Sequence, residues 1–332
     1  MNYRISCLYA LLLTWACYAP SVAADAEGEE LLNSMNRAFA EQSYDGVFSY
    51  FSGQDLATLR VVHKIIDDVQ RERLVHLNGA PREIIRHGEE VACIVMPGDD
   101  LLALEESIPS GPFARAFVRS FDQLSHSYMV ERAGDGRIAG RSSIRLAVAP
   151  KDEHRFGYRL WLDDLTHLLL RSELIDHDGQ RLEIFQFNTI TIGESVSDDA
   201  LEAGESQGSN VSHLRLVSNE SAPVSATPTP TMQWTTGWLP SGFAMATADL
   251  RRKRVSDNPV SILMYSDGLA SFSIFIENMP NNGASEMASQ HGATVAVSHG
   301  LEIDAGSYLV TLIGEIPLTT ARQVIRTVQH RG

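Results

Sequence analysis

Three sets of residues have the types and spacing for chemistry. Ser266-Asp267 sets a hydroxyl beside a carboxylate, the start of a nucleophile and its orienting acid. A triad also needs a base, and no histidine lies nearby in sequence, whereas turn chemistry at Asp267-Gly268 accounts for both residues. The second set is Arg251-Arg252-Lys253-Arg254, four consecutive cations in a chain of formal net charge −15. Such a run makes a local positive patch. It suits phosphate or carboxylate groups of an anionic partner, and it equally suits a solvated loop. The third set is aromatic. Phe48, Tyr50, Phe113, Phe117, Tyr158 and Trp161, with Phe51 and Phe121 beside them, have the bulk to line an acyl-chain pocket or to fill an ordinary core. No cofactor or metal is implied. His-Glu-x-x-His, Gly-x-Ser-x-Gly, a phosphate-binding glycine loop and closely spaced cysteines are all missing, and the 11 histidines are scattered singly.

The elements that must position these residues are mostly strands. Leu31, Leu32, Met35, Ala38 and Phe39 recur at helical spacing and predict an amphipathic helix over 29–42. Short β-prone runs then alternate with turns such as Asn78-Gly79, Asp135-Gly136 and Asp178-Gly179. Pro112 to Phe121 interrupts them as a second helix, with Phe113, Phe117 and Phe121 at four-residue spacing. Successive hairpins with few crossover helices require one large antiparallel sheet that curls to bury its apolar face.

Composition shifts to Ser, Glu, Gly, Pro and Thr at 194–232, which reads as a flexible linker in which only Leu214 to Val217 has strand character. Beyond it, strand formers flank Asp267-Gly268. A two-residue loop there sets Tyr265 opposite Ala270 and Leu263 opposite Phe272, and puts Leu263, Tyr265, Ala270, Phe272, Ile274 and Ile276 on one apolar face. A last helix after Pro317, with the stripe Ala321, Val324, Ile325 and Val328, is the natural cover for that face.

Residues 1–24 read as a secretory signal peptide: Arg4, an apolar run too short to span a bilayer, then small residues with Val22 and Ala24 before the cut. A lipoprotein site at Cys17 fits less well, because bulky Thr14-Trp15 precede it. Cleavage after Ala24 removes Arg4, Cys7 and Cys17. The mature chain then has net charge −16, which argues against nucleic acid, and keeps only Cys93, so no internal disulfide supports the fold. Cys93 itself sits in an apolar run and reads as a small core residue. A mature length of some 300 residues exceeds one core and predicts two domains, 25–193 and 233–332.

The chain resembles the RseB/MucB family of periplasmic sigma-E regulators. The matching segments include YDGVFSY (44–50), ERLVHLNGAPREIIR (72–86), VERAGDGRIAGR (130–141), PKDEHRFGYRLWLD (150–163), LIDHDGQRLEIFQF (174–187), WLPSGF (238–243), YSDGLASFSIFIE (265–277) and VTLIGEIPLTTARQVI (310–325). Each is mostly turn and strand chemistry, and their joint order makes the match specific.

The resemblance implies an α+β, mostly β protein. Its N-terminal domain would be an unclosed antiparallel barrel like that of LolA and LolB, and its smaller C-terminal domain a sheet packed by a helix. It implies a periplasmic, non-enzymatic protein that binds the periplasmic domain of an RseA/MucA-like anti-sigma factor and shields it from proteolysis. Lipopolysaccharide or the acyl chains of mislocalised lipoprotein would release it. Homodimerisation stays open, as does the alternative of a lipid or lipoprotein carrier.

Overall fold

The apolar stripe at 31–39 has the period of a helix, and in the computed structural model it lies within α1 (Val22–Glu41). Leu31, Leu32, Met35 and Ala38 are buried, and Phe39 packs against the same core. The structure describes residues 22–79, 82–88, 90–95, 124–202, 210–215, 233–252, 259–279, 286–304 and 306–331. The expected signal peptide, apart from Val22 to Ala24 in α1, and the expected helix at 112–121 with Phe113, Phe117 and Phe121 lie outside the described residues.

Behind α1, two meanders build one sheet. The first is β1 (Tyr44–Ser52), β2 (Asp55–Ile66), β3 (Val69–His76), β4 (Arg82–His87) and β5 (Glu90–Val95), and Cys93 lies in β5. The second is β6 (Tyr128–Ile138), β7 (Arg141–Pro150), β8 (Gly157–Asp163), β9 (Leu169–Ile175) and β10 (Arg181–Ile192). Pairing of β1 with β10 joins the meanders, so the ends of the sheet stay apart and it does not close. Helix α1 lies over β6. Gly28 permits that approach, because a Cβ there would stand 2.6 Å from the Val130 carbonyl oxygen.

Two expectations change in this domain. Asp135-Gly136 is not a turn: β6 runs through it with a bulge between Arg132 and Asp135, and the chain reverses at Ala139-Gly140, both at positive φ. Part of the expected linker also belongs to the sheet. Val196 is buried, Lys64 donates to the Val196 carbonyl, and a 3-10 turn (Asp198–Leu201) follows. Then β11 (Asn210–Arg215) pairs with β5 and makes an 11-stranded sheet in the order β11-β5-β4-β3-β2-β1-β10-β9-β8-β7-β6. Strand β11 begins four residues before the segment credited with strand character. The rest of the expected linker, 203–209 and 216–232, lies outside the described residues.

The second sheet has six strands. It contains β13 (Ala244–Arg252), β14 (Pro259–Ser266), β15 (Ser271–Asn278), β16 (Met287–His291), β17 (Thr294–Ile303) and β18 (Gly306–Gly314), ordered β13-β14-β15-β18-β17-β16. Helix α2 (Leu318–Ile325) covers one face, and β12 (Trp234–Thr236) pairs with β19 (Val328–His330) as a separate ribbon. Ala321, Val324 and Ile325 are buried with Leu263, Tyr265, Phe272, Ile274 and Ile276 in one core, so the expected cover is in place. Val328 joins that core from β19, because α2 ends at Ile325.

The β14–β15 hairpin keeps its apolar face but not its expected register. Ser266 pairs with Ser271, Tyr265 with Phe272 and Leu263 with Ile274, so four residues form the loop. Gly268 has φ 107. Asp267 Oδ1 accepts the N–H groups of Leu269 at 2.9 Å and Ala270 at 2.8 Å, and Ser266 Oγ accepts that of Gly268 at 3.0 Å. Side-chain acceptors thus satisfy amides that a tighter turn would have paired. A slip of two residues returns every side chain to the same face, which is why the apolar face survives.

Candidate functional site

Ser266 and Asp267 do not form a nucleophile with its orienter. One Asp267 oxygen caps its own loop, and the other crosses to the N-terminal sheet, where it accepts from Arg155 Nη1 at 2.6 Å and from the Tyr128 hydroxyl at 3.1 Å. Arg155 also donates to Asp152 through Nε at 3.0 Å and Nη2 at 2.8 Å, and to the Ser241 carbonyl oxygen. Its guanidinium carbon lies 5.6 Å from the Tyr128 ring centre and 5.2 Å from that of Phe243. Arg155 and Asp267 side chains are 0% exposed. Burial raises the Asp152 carboxyl, but the Arg155 bonds and charge prevail and hold it below the usual range.

The segment Pro240 to Phe243 closes this contact. Gly242 has φ +87, and a Cβ there would collide with Ser127 Oγ, so glycine is required on both counts. Beside it, His154 Nδ1 is 3.2 Å from Thr320 Oγ1 of α2, and its ring meets Trp238 edge-on at 5.2 Å. A second contact forms around Glu183, whose Oε1 accepts the Ala293 N–H at 3.3 Å from the β16–β17 turn. Leu269 and Ala293 are buried in the N-terminal core. The two domains therefore touch through both the Arg155–Asp267 and the Glu183–Ala293 contacts.

The expected lipid-pocket residues divide. Phe48 is buried against Phe185 at 4.9 Å and Phe187 at 5.9 Å. Tyr50 donates to Glu183 Oε2 at 2.8 Å, and Tyr158 is buried in the same core. Burial, then neighbouring acids, raise both tyrosine hydroxyls well above their ordinary range. Trp161 alternates to the opposite face of β8 from Tyr158, where the Arg171 guanidinium covers its ring at 5.1 Å. A cleft of about 340 Å³ opens elsewhere, between β2–β4 and the 3-10 turn, among Ile66, Arg71, Arg86, His87, Asp198 and Leu201. It shares no residue with the aromatic set.

Arg251 and Arg252 end β13, at register positions opposite Val260 and Pro259, while Lys253 and Arg254 lie outside the described residues. Among the described residues no cluster of His, Cys, Asp and Glu has the arrangement of a metal site. Buried polar groups tie one domain to the other. Sequence reasoning found Asp267 as a turn residue but missed Arg155, Asp152 and Tyr128. The one available signal was the charged run Lys151 to Arg155 between two strands.

The MucB/RseB N-terminal domain family matches residues 27–204, and the MucB/RseB C-terminal domain family matches residues 228–329. The sigma factor AlgU regulatory protein MucB of Pseudomonas aeruginosa is 36% identical over 96% of this chain and 96% of its own length. A crystal structure of MucB in complex with MucA(peri) is similar at TM-score 0.75 and 34% identity, covering 92% of this chain and 99% of that one. A crystal structure of MucB alone is similar at TM-score 0.62 and 31% identity, covering 92% and 98%.

Proposed function

The chain belongs to the MucB/RseB family of sigma-factor regulatory proteins, and from that premise we propose that it is a periplasmic negative regulator of an envelope-stress sigma factor. It binds the periplasmic domain of a MucA/RseA-like anti-sigma factor and shields that domain from regulated proteolysis. Lipopolysaccharide or mislocalised lipoprotein releases it. Release by a lipid requires that the lipid bind the freed form better than the partner-bound form.

The observation that carries this reading is the likeness of both domains together to MucB held with MucA(peri). The acid-rich, two-domain architecture supports a holding role. In this reading residues 1–24 are the signal peptide that delivers the chain to the periplasm, residues 25–193 with β11 form the lipid-sensing domain, and 233–332 form the second domain. Phe48, Tyr50 and Tyr158 are proposed to serve lipid sensing from the concave side of the first domain.

The test uses the purified chain and the periplasmic domain of its own organism's anti-sigma factor. A stable complex that resists the initiating protease, and that lipopolysaccharide dissociates, is the expected result. Absence of any complex would sink the reading. Acyl-chain binding without the anti-sigma domain would favour a carrier.

A further inference from the structure

Leu59, Val61 and Leu74 belong to the N-terminal core, so by the alternation of a strand Lys64 on β2 and Arg71 on β3 lie on the opposite face of the sheet. A row of basic residues crosses that face. Lys64 stands opposite Arg71 in register, Arg71 stands opposite His87 of β4, and the row ends at Glu90 of β5. Like charges directly opposite one another destabilise a sheet unless other groups meet them.

The segment after β10 meets most of them. Lys64 donates to Asp198 and to the Val196 carbonyl oxygen at 2.7 Å, while Arg73, on the same face, donates to Glu83 and to the Ala200 carbonyl oxygen at 3.2 Å. Together these bonds dock the 3-10 turn on the sheet. Arg71 differs: its Nε is buried and has no hydrogen-bond partner among the described residues.

The cleft of about 340 Å³ opens where Arg71 meets this turn, and Ile66, Ile85 and Leu201 give it apolar walls. Its acids are already engaged or turned to water. Asp198 is paired with Lys64, Glu72 stands opposite Arg86 in register, and Glu202 is exposed. We propose that the cleft binds a small carboxylate with a short hydrocarbon body, its head on Arg71 and its body among Ile66, Ile85 and Leu201. A guanidinium presents paired N–H donors that match a carboxylate, and apolar walls strengthen that bond by excluding water. An amine of the same size would meet the Arg71 charge and be repelled. The volume lies at the small end of ligand pockets, which limits the body to a few carbons.

Arg71 and Ile85 belong to the sheet and Leu201 to the turn, so one ligand touches both and holds them together by mass action. The turn lies on the path from β10 to β11. Occupancy of the cleft therefore sets how firmly the chain is anchored before it adds the last strand of the first sheet. The cleft and its ligand stand apart from the regulator reading.

The experiment titrates the purified chain with hexanoate, acetate and hexylamine by calorimetry, and follows amide hydrogen exchange at residues 198–202 in the same samples. Hexanoate is expected to bind saturably and to slow exchange in the turn. Acetate, which lacks the body, and hexylamine, which carries the wrong charge, are expected to bind at least about tenfold more weakly. Arg71→Gln should weaken hexanoate binding by at least about tenfold, as for a lost hydrogen bond to a charged group. Leu201→Ala should weaken it as well, by a change in the turn that leaves the strands intact. Absence of saturable hexanoate binding would overturn the proposal, as would an affinity unchanged in either variant, acetate or hexylamine binding as tightly as hexanoate, or binding that leaves exchange in the turn unaltered.

Discussion

Arg155 donates a 2.6 Å hydrogen bond to Asp267 across the domain boundary, with neither side chain exposed to solvent. One arginine thereby serves Asp152 in its own domain and Asp267 in the other. Removing Asp267 leaves the buried Arg155 guanidinium with one carboxylate in place of two. Asp267→Ala should cost about 3–5 kcal/mol of the coupling between domains, in keeping with broken buried ion pairs. Asp267→Asn should cost less, since its side-chain oxygen still caps the loop. Scanning calorimetry reads this directly: one shared transition in the wild type, and two separated ones in the alanine variant. A single unshifted transition would count against the coupling.

How much of this seam could be read from sequence depends on which physical signal carried it. Strands and α1 were legible because burial imposes a period on the residues, two for β15 and 3.6 for α1. Loop length was not. Asp267-Gly268 looks the same whether it forms a two-residue turn or the first half of a four-residue loop capped by side chains. Asp135-Gly136 drew attention away from Ala139-Gly140 because a bulge, relieved by Gly134 at φ 104, lets a turn-like dipeptide pass through a strand. Val328 continued the apolar period of α2 although the helix had ended. The Arg155–Asp267 pair was invisible for a different reason. Its members are 112 residues apart, and nothing local to either announces the other.

Gly242 offers a second handle on the seam. Its φ of +87 and its contact with Ser127 make Gly242→Ala unfavourable twice over, and the expected cost exceeds about 1 kcal/mol. The loss should appear as weaker coupling of the domains, seen as faster proteolysis between them, with the circular dichroism of each sheet unchanged. Ser127→Gly in the same chain should restore part of the loss by making room for the new methyl group. No restoration would mean that backbone strain alone is responsible.

Asp163 contributes to acid sensitivity in the first domain. Its carboxylate accepts from Arg141 Nε at 2.6 Å and Nη2 at 3.1 Å, and from the N–H and hydroxyl of Thr166 at 3.0 and 2.9 Å. Burial raises its pKa, but the Arg141 and Thr166 bonds outweigh that and hold it below 3.8. A lowered folded value means that the stabilisation is present above pH 3.8 and is lost as pH falls through the folded value. Asp163→Asn should therefore lower the melting temperature at pH 7 and narrow its deficit as pH falls below 3.8. An equal deficit at both pH values would refute the linkage.

The core under α1 sets how firmly the helix closes the concave face. Met35 is 0% exposed and Leu32 1%, both packed among the N-terminal core residues. Either change to alanine should destabilise by about 2–5 kcal/mol, read as a lower urea midpoint with an unchanged slope. If the proposed lipid sensing works by competing with α1 for this face, the Met35→Ala variant should also bind an acyl probe more readily than the wild type.

The basic run at 251–254 is the remaining candidate for partner contact. Arg251 and Arg252 close β13, which stands at one end of the strand order of the six-stranded sheet. An exposed ion pair is worth roughly 0.2–1 kcal/mol, and the gain is screened by salt. Replacing Arg251, Arg252 and Lys253 together by alanine should therefore weaken anti-sigma or lipopolysaccharide binding at low ionic strength by about 1–3 kcal/mol, with the difference shrinking as salt is added. Calorimetric titration at two salt concentrations measures both quantities. An affinity unchanged at low salt would reduce the run to a solvated strand end.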